Sequence, residues 1–412
     1  MGSLVSTPAS DERSDLPNHF KEYFKNFNQK SVIISQKTST SIQLRLAKGD
    51  IQGANTIISD ALKDIDKLSL NIAVTGETGS GKSSLVNALR GVGHEEEDAA
   101  ATGAEETTME IRSYKHPKFP SVEIWDLPGI GTLNFQPEDY LEKVKFAEYD
   151  FFIIVCATRF KKDDIDLAQA IKAMKKNFYF VRTKVDSDLQ NEQSTKPNSF
   201  DREKVLKKIR DTAQREFHRC DIDAKIFLIS SLKLSEFDFP ILMDTLLEDL
   251  PAEKRHVFTL SLPNITEAAI DKKRDSLKQI VWLEALKAGF LATVPLVGII
   301  QDQDVEKLKK SLHQYQVQLG VDDLSLHSLA KDLKVPVKEL QRNLKSPHLF
   351  DTEKNQTIGE KLLRSFEIFC SANGGLLATG LYFRRVFYLQ YYLLDTVAED
   401  AKVLLKMSYS KN

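Results

Sequence analysis

The chain has 412 residues, a formal net charge of −2, 42% hydrophobic and 28% charged side chains, the balance of a soluble globular protein of two or three domains. No basic excess and no RNA-binding signature point to a nucleic-acid partner. The three cysteines, Cys156, Cys220 and Cys370, lack metal-ligand or paired spacing, and the N-terminus lacks a signal peptide's apolar core, so a reducing, cytoplasmic setting is expected. At the N-terminus, Met1-Gly2-Ser3-Leu4-Val5-Ser6 fits M-G-x-x-x-[ST] and makes Gly2 a candidate for N-myristoylation, an unmodified tail being the alternative. From Ser31 to Leu68 the pattern is helical, with Ile42, Leu46, Ile51, Ile57, Ile58, Leu62 and Ile65 apolar and a break near Lys48-Gly49-Asp50. Between Ser69 and about Leu250 the runs LNIAVT, VEIWDL, DFFIIVCAT, NFYFVRT and KIFLIS alternate with helical segments, the sign of an α/β domain with a mainly parallel sheet. After Pro251 long helical patterns follow. The predicted division is 1–68 for the acylation segment and first helices, 69–250 for the α/β domain and 251–412 for the rest of an all-α domain formed jointly by the two ends of the chain.

Within the α/β region, Gly76 to Ser84 reads GETGSGKSS and fits G-x-x-x-x-G-K-[ST] after an apolar strand and before an amphipathic helix. Glycines let successive N–H groups turn inward onto phosphate oxygens, and the following helix N-terminus adds its positive dipole end. The whole loop, Gly76, Glu77, Thr78, Gly79, Ser80, Gly81, Lys82, Ser83 and Ser84, is therefore assigned to a nucleotide, with Lys82 on the β- and γ-phosphates and Ser83 on Mg²⁺. VEIWDLPG adds D-x-x-G, placing Asp126 near the metal and the Gly129 amide near the γ-phosphate. Thr183-Lys184-Val185-Asp186 stands where a guanine loop normally reads Asn-Lys-x-Asp. The Asp186 carboxylate would accept the N1–H and 2-amino group of guanine, a donor pair that adenine lacks, so the sequence favours GTP and GDP. Lys184 would lay its stem along the base. Thr183 in place of Asn leaves one bracing bond of that loop open, and Ser230 and Ser231 fall where a last loop would touch guanine O6. Ile130 occupies the position after D-x-x-G where a Gln orients water in small GTPases, so an isolated monomer is expected to hydrolyse slowly. Between the two motifs, Thr102 to Thr108 offers hydroxyls for Mg²⁺ and carboxylates for water; Thr102 and Thr108 both remain candidates.

Taken together, GETGSGKSS, ATGAEETTME, WDLPGIGT, EYDFFIIVCATRF, FYFVRTKVDSD, DFPILMDTLLEDLPAEKRH and LLDTVAEDAKVLLK resemble the immunity-related GTPases, or interferon-inducible p47 GTPases, over nearly the whole chain. Lys82 matches the effector class with GKS in the loop; the regulatory class carries Met there. The resemblance implies a Ras-like P-loop GTPase domain on a helical domain, and cooperative, dynamin-like GTP hydrolysis on self-association through the nucleotide-binding face. It further implies peripheral action at intracellular membranes, including those of the ER, the Golgi and pathogen-containing vacuoles, with regulatory family members as further partners. It favours Glu106 as the catalytic carboxylate, beside Lys82 and Thr108, and Arg159, Lys161 and Lys162 as a face toward a second subunit. The competing reading is a slow monomeric switch or scaffold. A single myristoyl chain binds bilayers only with K on the order of 10⁴ M⁻¹, so membrane attachment needs a second contribution. Assembly is one source. Leu381 to Leu394, LYFRRVFYLQYYLL, is another, although an aromatic helical stripe is more often core. Ala288 to Ile300 is too short to span a bilayer and is expected to be a buried helix pair or turn.

Overall fold

In the computed structural model, which describes residues 21, 32–102, 111–129, 137–291, 302–351 and 385–411, the first elements are α1 (Gln36–Ala47) and α2 (Ile51–Lys67). Ser35 Oγ caps α1 by accepting from Thr38 N at 3.1 Å. The predicted break follows from local chemistry. Gly49 takes φ +70°, and Asp50 starts α2 by accepting from Gly53 N at 2.9 Å and from Arg45 Nη1 at 2.5 Å.

The α/β region then runs β1 (Leu70–Gly76), α3 (Lys82–Arg90), β2 (Arg112–Lys115), β3 (Val122–Asp126), α4 (Pro137–Lys143), β4 (Phe151–Cys156), α5 (Lys162–Ala173), β5 (Asn177–Arg182), α6 (Val185–Thr195), α7 (Arg202–Arg219), β6 (Ile226–Leu228) and α8 (Phe239–Asp249). Its strands form one sheet in the order β2-β3-β1-β4-β5-β6. All neighbours pair in parallel except β2, which runs antiparallel to β3. The five apolar runs became the five parallel strands. The sixth, RSYK, went unread because three of its four side chains are exposed, leaving an edge strand without apolar alternation. The central strands are covered on both faces: every residue of β4 is buried, and only Asn71 in β1 is not. Phe180 stacks on Phe217 with centroids 4.3 Å apart and meets Phe160 edge-on at 4.7 Å, so the core closes directly behind the carboxyl ends of β4 and β5.

After α8 come α9 (Ala252–Ser261), α10 (Glu267–Leu291), α11 (Asp302–Leu319), α12 (Asp323–Leu333), α13 (Val337–Gln341) and α14 (Arg385–Lys411). The chain divides into two compact units. One contains Ser69–Asp249 with Ser261–Ile265; the other joins the N-terminal helices to Leu250–Leu260 and the helices from Thr266 onward. In the helical unit, Ile42, Leu46, Ala54, Ile58 and Ile65 of α1 and α2 share a buried cluster with Trp282, Leu283 and Leu286 of α10. The two ends of the sequence thus cover one another's apolar stripes, as the paired patterns implied. Leu389, Leu393 and Leu394 are fully buried and Tyr391 packs against this cluster, so the described part of the aromatic stretch ending at Leu394 is interior. Its first residues, 381–384, lie outside the described residues, as do 292–300. Among the described residues no helix is long and apolar enough to cross a membrane.

Asp400 of α14, 2% exposed, accepts from Ser346 N at 2.7 Å and from Lys345 N at 2.9 and 3.0 Å, tying the turn Ser346–His348 to α14. Asp400→Ala leaves both amides without their acceptor. A loss of about 2 kcal/mol or more in unfolding free energy is expected, with Asp400→Asn losing less, as read by urea denaturation; an unchanged midpoint in Asp400→Ala would remove this anchor from the account.

Candidate nucleotide-binding site

The site is built at the carboxyl edge of the parallel strands, where successive loops leave in the same direction. β1 ends at Gly76 with φ +139°, and a Cβ there would lie 2.0 Å from the Val155 carbonyl oxygen of β4. Only glycine permits that approach. Gly81, at φ +91°, then turns the chain into α3. Lys82, 5% exposed, donates to the carbonyls of Gly76 and Glu77, both at 3.2 Å. Burial lowers its pKa, opposed by the nearby charges of Asp126 and Glu77. Ser83 Oγ donates to Asp126 Oδ2 at 2.8 Å, joining the first helical turn to the end of β3; Ser83 is 9% and Asp126 1% exposed.

The D-x-x-G loop rests directly on the glycine-rich loop. A Cβ on Gly129 would stand 2.7 Å from Thr78 Oγ1 and 3.3 Å from Thr78 N. Tyr140 of α4, buried, donates from its hydroxyl to Pro128 O at 3.0 Å and shares a 2.7 Å bond with Thr75 Oγ1. Tyr140 is a fixing point absent from the sequence reading; a lone Tyr in PEDYLEK carries no motif.

The base loop is anchored from behind. Thr183 Oγ1 donates to Ser80 O at 2.5 Å and to Cys156 O at 3.2 Å, while Lys184 Nζ donates to Gly79 O at 3.0 Å. The bracing bond that Thr183 left open at the sequence level is therefore made by a hydroxyl. Asp186 lies in the first turn of α6, half-buried. Ile229 N donates to Arg182 O at 2.8 Å and Val185 N to Ile229 O at 3.3 Å, which brings Ser230 and Ser231 beside the same loop. Ser230 Oγ accepts from Leu232 N and Lys233 N, both at 3.2 Å, so that hydroxyl shapes its own turn.

On the other flank, Asn87 of α3, fully buried, donates to Ala100 O at 3.0 Å and accepts from Ala100 N at 2.7 Å. Arg90 Nη1 donates to Asp98 O at 2.7 Å. These bonds fix the chain just before Thr102, which is exposed. In the sequence they show only as Asn87 and Arg90 of the amphipathic helix SSLVNALR, which does not say what they meet. Glu106, Thr108 and Ile130 lie outside the described residues, as does Gly2.

Arg159, Lys161 and Lys162 are exposed, but Lys161 forms an ion pair with Glu77 of the glycine-rich loop. Behind it, Asp164 is 3% exposed and accepts from Lys161 N at 2.8 Å.

Residues 35–408 match the family model for interferon-inducible GTPases (IIGP). The chain belongs to the interferon-inducible GTPase family. It is 52% identical over 407 residues to mouse interferon-gamma-inducible GTPase 10, covering 98% of this chain and 97% of that protein. To mouse interferon-inducible GTPase 1 it is 54% identical over 407 residues, covering 98% of each. To mouse T-cell-specific guanine nucleotide triphosphate-binding protein 2 it is 51% identical over 387 residues, covering 94% of this chain and 93% of that protein. This member of the immunity-related GTPases binds GTP and GDP and hydrolyses GTP. Its α/β unit, with one antiparallel edge strand beside five parallel ones, is the Ras-like P-loop domain, and the helical unit stands on the two ends of the chain.

The fit of this GTPase to Mg²⁺ can be tested on its donors. Ser83 and Asp126 present neighbouring oxygens, which suit a hard cation. Among the described residues no group of three or more His, Cys, Asp or Glu side chains could hold a metal by itself. A cation here would take its remaining ligands from phosphate and water, as Mg²⁺ does.

Burial pushes the Asp164 carboxyl from 3.8 up to about 6, opposed by the bond from Lys161 N and reinforced by the charges of Glu77 and Asp163. A raised folded-state pKa means that folding favours the proton. That contribution is complete below about pH 4 and lost as pH rises through 6. Asp164→Asn removes the titration and keeps an acceptor for Lys161 N. The stability of wild type relative to this variant should fall by about 2 kcal/mol between pH 4 and pH 7. A pH-independent difference in denaturant unfolding would show that Asp164 titrates normally.

Proposed function

We propose that this GTPase acts by self-association on membranes, with two nucleotide-binding faces meeting to complete a hydrolytic site that one chain lacks. The observation carrying this reading is the gathering of Lys82, Ser83 and Asp126 at one sheet edge, beside a D-x-x-G motif followed by Ile130 rather than a water-orienting Gln. Lys82 would neutralise the β- and γ-phosphate oxygens, with the amides of Gly79, Gly81, Lys82, Ser83 and Ser84 as the cradle. Ser83 and Asp126 would hold Mg²⁺ together with Thr102 or Thr108. When bound, the ion supplies charge neutralisation for the phosphates. The Asp186 carboxylate reads the guanine edge, Lys184 covers the base with its stem, and Ser230 and Ser231 border O6.

Because an aliphatic side chain cannot orient water, Glu106 is assigned that task once a second subunit meets this face, with Arg159, Lys161 and Lys162 facing the partner. Within the family this corresponds to dynamin-like, interferon-induced action at pathogen-containing vacuole membranes, reached from the ER or Golgi, under regulatory members of the same family. Gly2, once myristoylated, gives marginal membrane affinity that assembly multiplies by avidity.

A second reading, the slow monomeric switch, is favoured by one observation: Lys161 is already engaged by Glu77 of its own chain. Turnover per molecule across protein concentrations separates the two. Assembly predicts a rise with concentration, and Glu106→Ala should lower phosphate release ~10²-fold or more while GTP-dependent light scattering persists. Concentration-independent turnover, with Glu106→Ala fully active, would establish the monomeric switch instead. For attachment, Gly2→Ala should remove most partitioning of the acylated protein onto vesicles while GTP hydrolysis in solution remains; equal vesicle recovery of both proteins would leave the acyl chain out.

A further inference from the structure

Arg182, the last residue of β5, is 5% exposed although it carries a full charge. Its Nη1 donates to Thr183 O at 2.7 Å and its Nη2 to Asp188 Oδ2 at 2.6 Å. One rigid, planar group therefore grips both ends of the segment Thr183–Asp188, which contains Lys184 and Asp186. That segment needs an external grip. Lys184 sits at φ +58°, a left-handed conformation that costs an L residue on the order of 1 kcal/mol. The Thr183 hydroxyl, where an Asn would offer both a carbonyl and an amide, is directed to Ser80 O and Cys156 O. The hydroxyl is thus spent on the glycine-rich loop and the end of β4, and the guanidinium links the Thr183 carbonyl to Asp188 in the first turn of α6.

We propose that Arg182 is the positioning residue for guanine selectivity: its fork fixes the Thr183 carbonyl and the first turn of α6 so that the Asp186 carboxylate meets the N1–H and 2-amino edge of the base. The proposal rests on Asp186 reading the base. Burying a guanidinium is costly, the more so here because Arg182 Nε is buried without a hydrogen-bond partner, and the two bonds that the group does make both go to the base loop. A Lys in its place carries the same charge as a flexible point, without two coplanar donors set at the separation of these acceptors.

The test compares full-length variants in affinity for GTP and for ITP, which lacks the 2-amino group, with XTP as a third ligand and thermal midpoints recorded in parallel. A merely structural role weakens all nucleotides by one factor. Positioning predicts that Arg182→Lys and Asp188→Ala lower the GTP-over-ITP ratio about tenfold, the loss of one charge-assisted bond from a directed carboxylate. Asp188→Asn, whose amide oxygen still accepts from Nη2, should keep most of the ratio. Unchanged ratios in Arg182→Lys and Asp188→Ala, alongside an Asp186→Asn protein that shifts toward XTP, overturn the positioning role alone. An Asp186→Asn protein with wild-type selectivity overturns the base reading, and this proposal with it.

Discussion

The passage of the Gly76 backbone against the Val155 carbonyl is the contact on which the site depends. It lets β1 and β4 stay paired up to the point where the phosphate loop begins, so that loop starts from a fixed origin. Everything nearby is referred to that origin. Lys82 folds back onto the carbonyls of Gly76 and Glu77, Ser83 reaches Asp126 at the end of β3, and Gly129 lies against Thr78. A side chain at position 76 would push β1 from β4 and move all three loops at once. The requirement is steric and holds with or without a nucleotide.

Around this origin the molecule places several charges in low-dielectric surroundings and ties each to a partner. Lys82 and Asp126 lie within each other's field, Arg182 pairs with Asp188, and Asp164 holds the backbone at Lys161. Such groups cost desolvation energy that an apolar side chain would not. Their common effect is directional: each fixes a loop at an angle that apolar packing leaves undetermined. The helical unit shows the contrast. There the two ends of the chain meet through Ile42, Ile58, Trp282 and Leu286, and Asp400 serves a turn rather than a ligand loop.

The glycine-rich motif, D-x-x-G and the apolar runs were legible because each depends on local requirements: backbone curvature, alternation of elements, residue type at fixed spacing. β2 was not, since an exposed edge strand gains its stability from hydrogen bonds to β3 and leaves no mark in hydrophobicity. The same reason hides Tyr140, Asn87 and Arg182. Their partners, Thr75, Ala100 and Asp188, lie 65, 13 and 6 positions away, and a single polar residue in an apolar segment does not say what it meets.

By itself the sequence determined the family, the presence of a phosphate-binding loop, the mainly parallel sheet and the helical ends, all of which follow from short-range spacing and periodicity. It also determined that Ile130 follows Gly129, a statement about side-chain chemistry that needs no coordinates. The tertiary structure alone decided that the Thr183 hydroxyl braces Ser80, that Lys161 turns toward Glu77, and that Arg182 grips the base loop. Hydrogen bonds and ion pairs of this kind require angstrom-scale placement of groups 103, 84 and 6 positions apart, which spacing and periodicity along the chain do not supply.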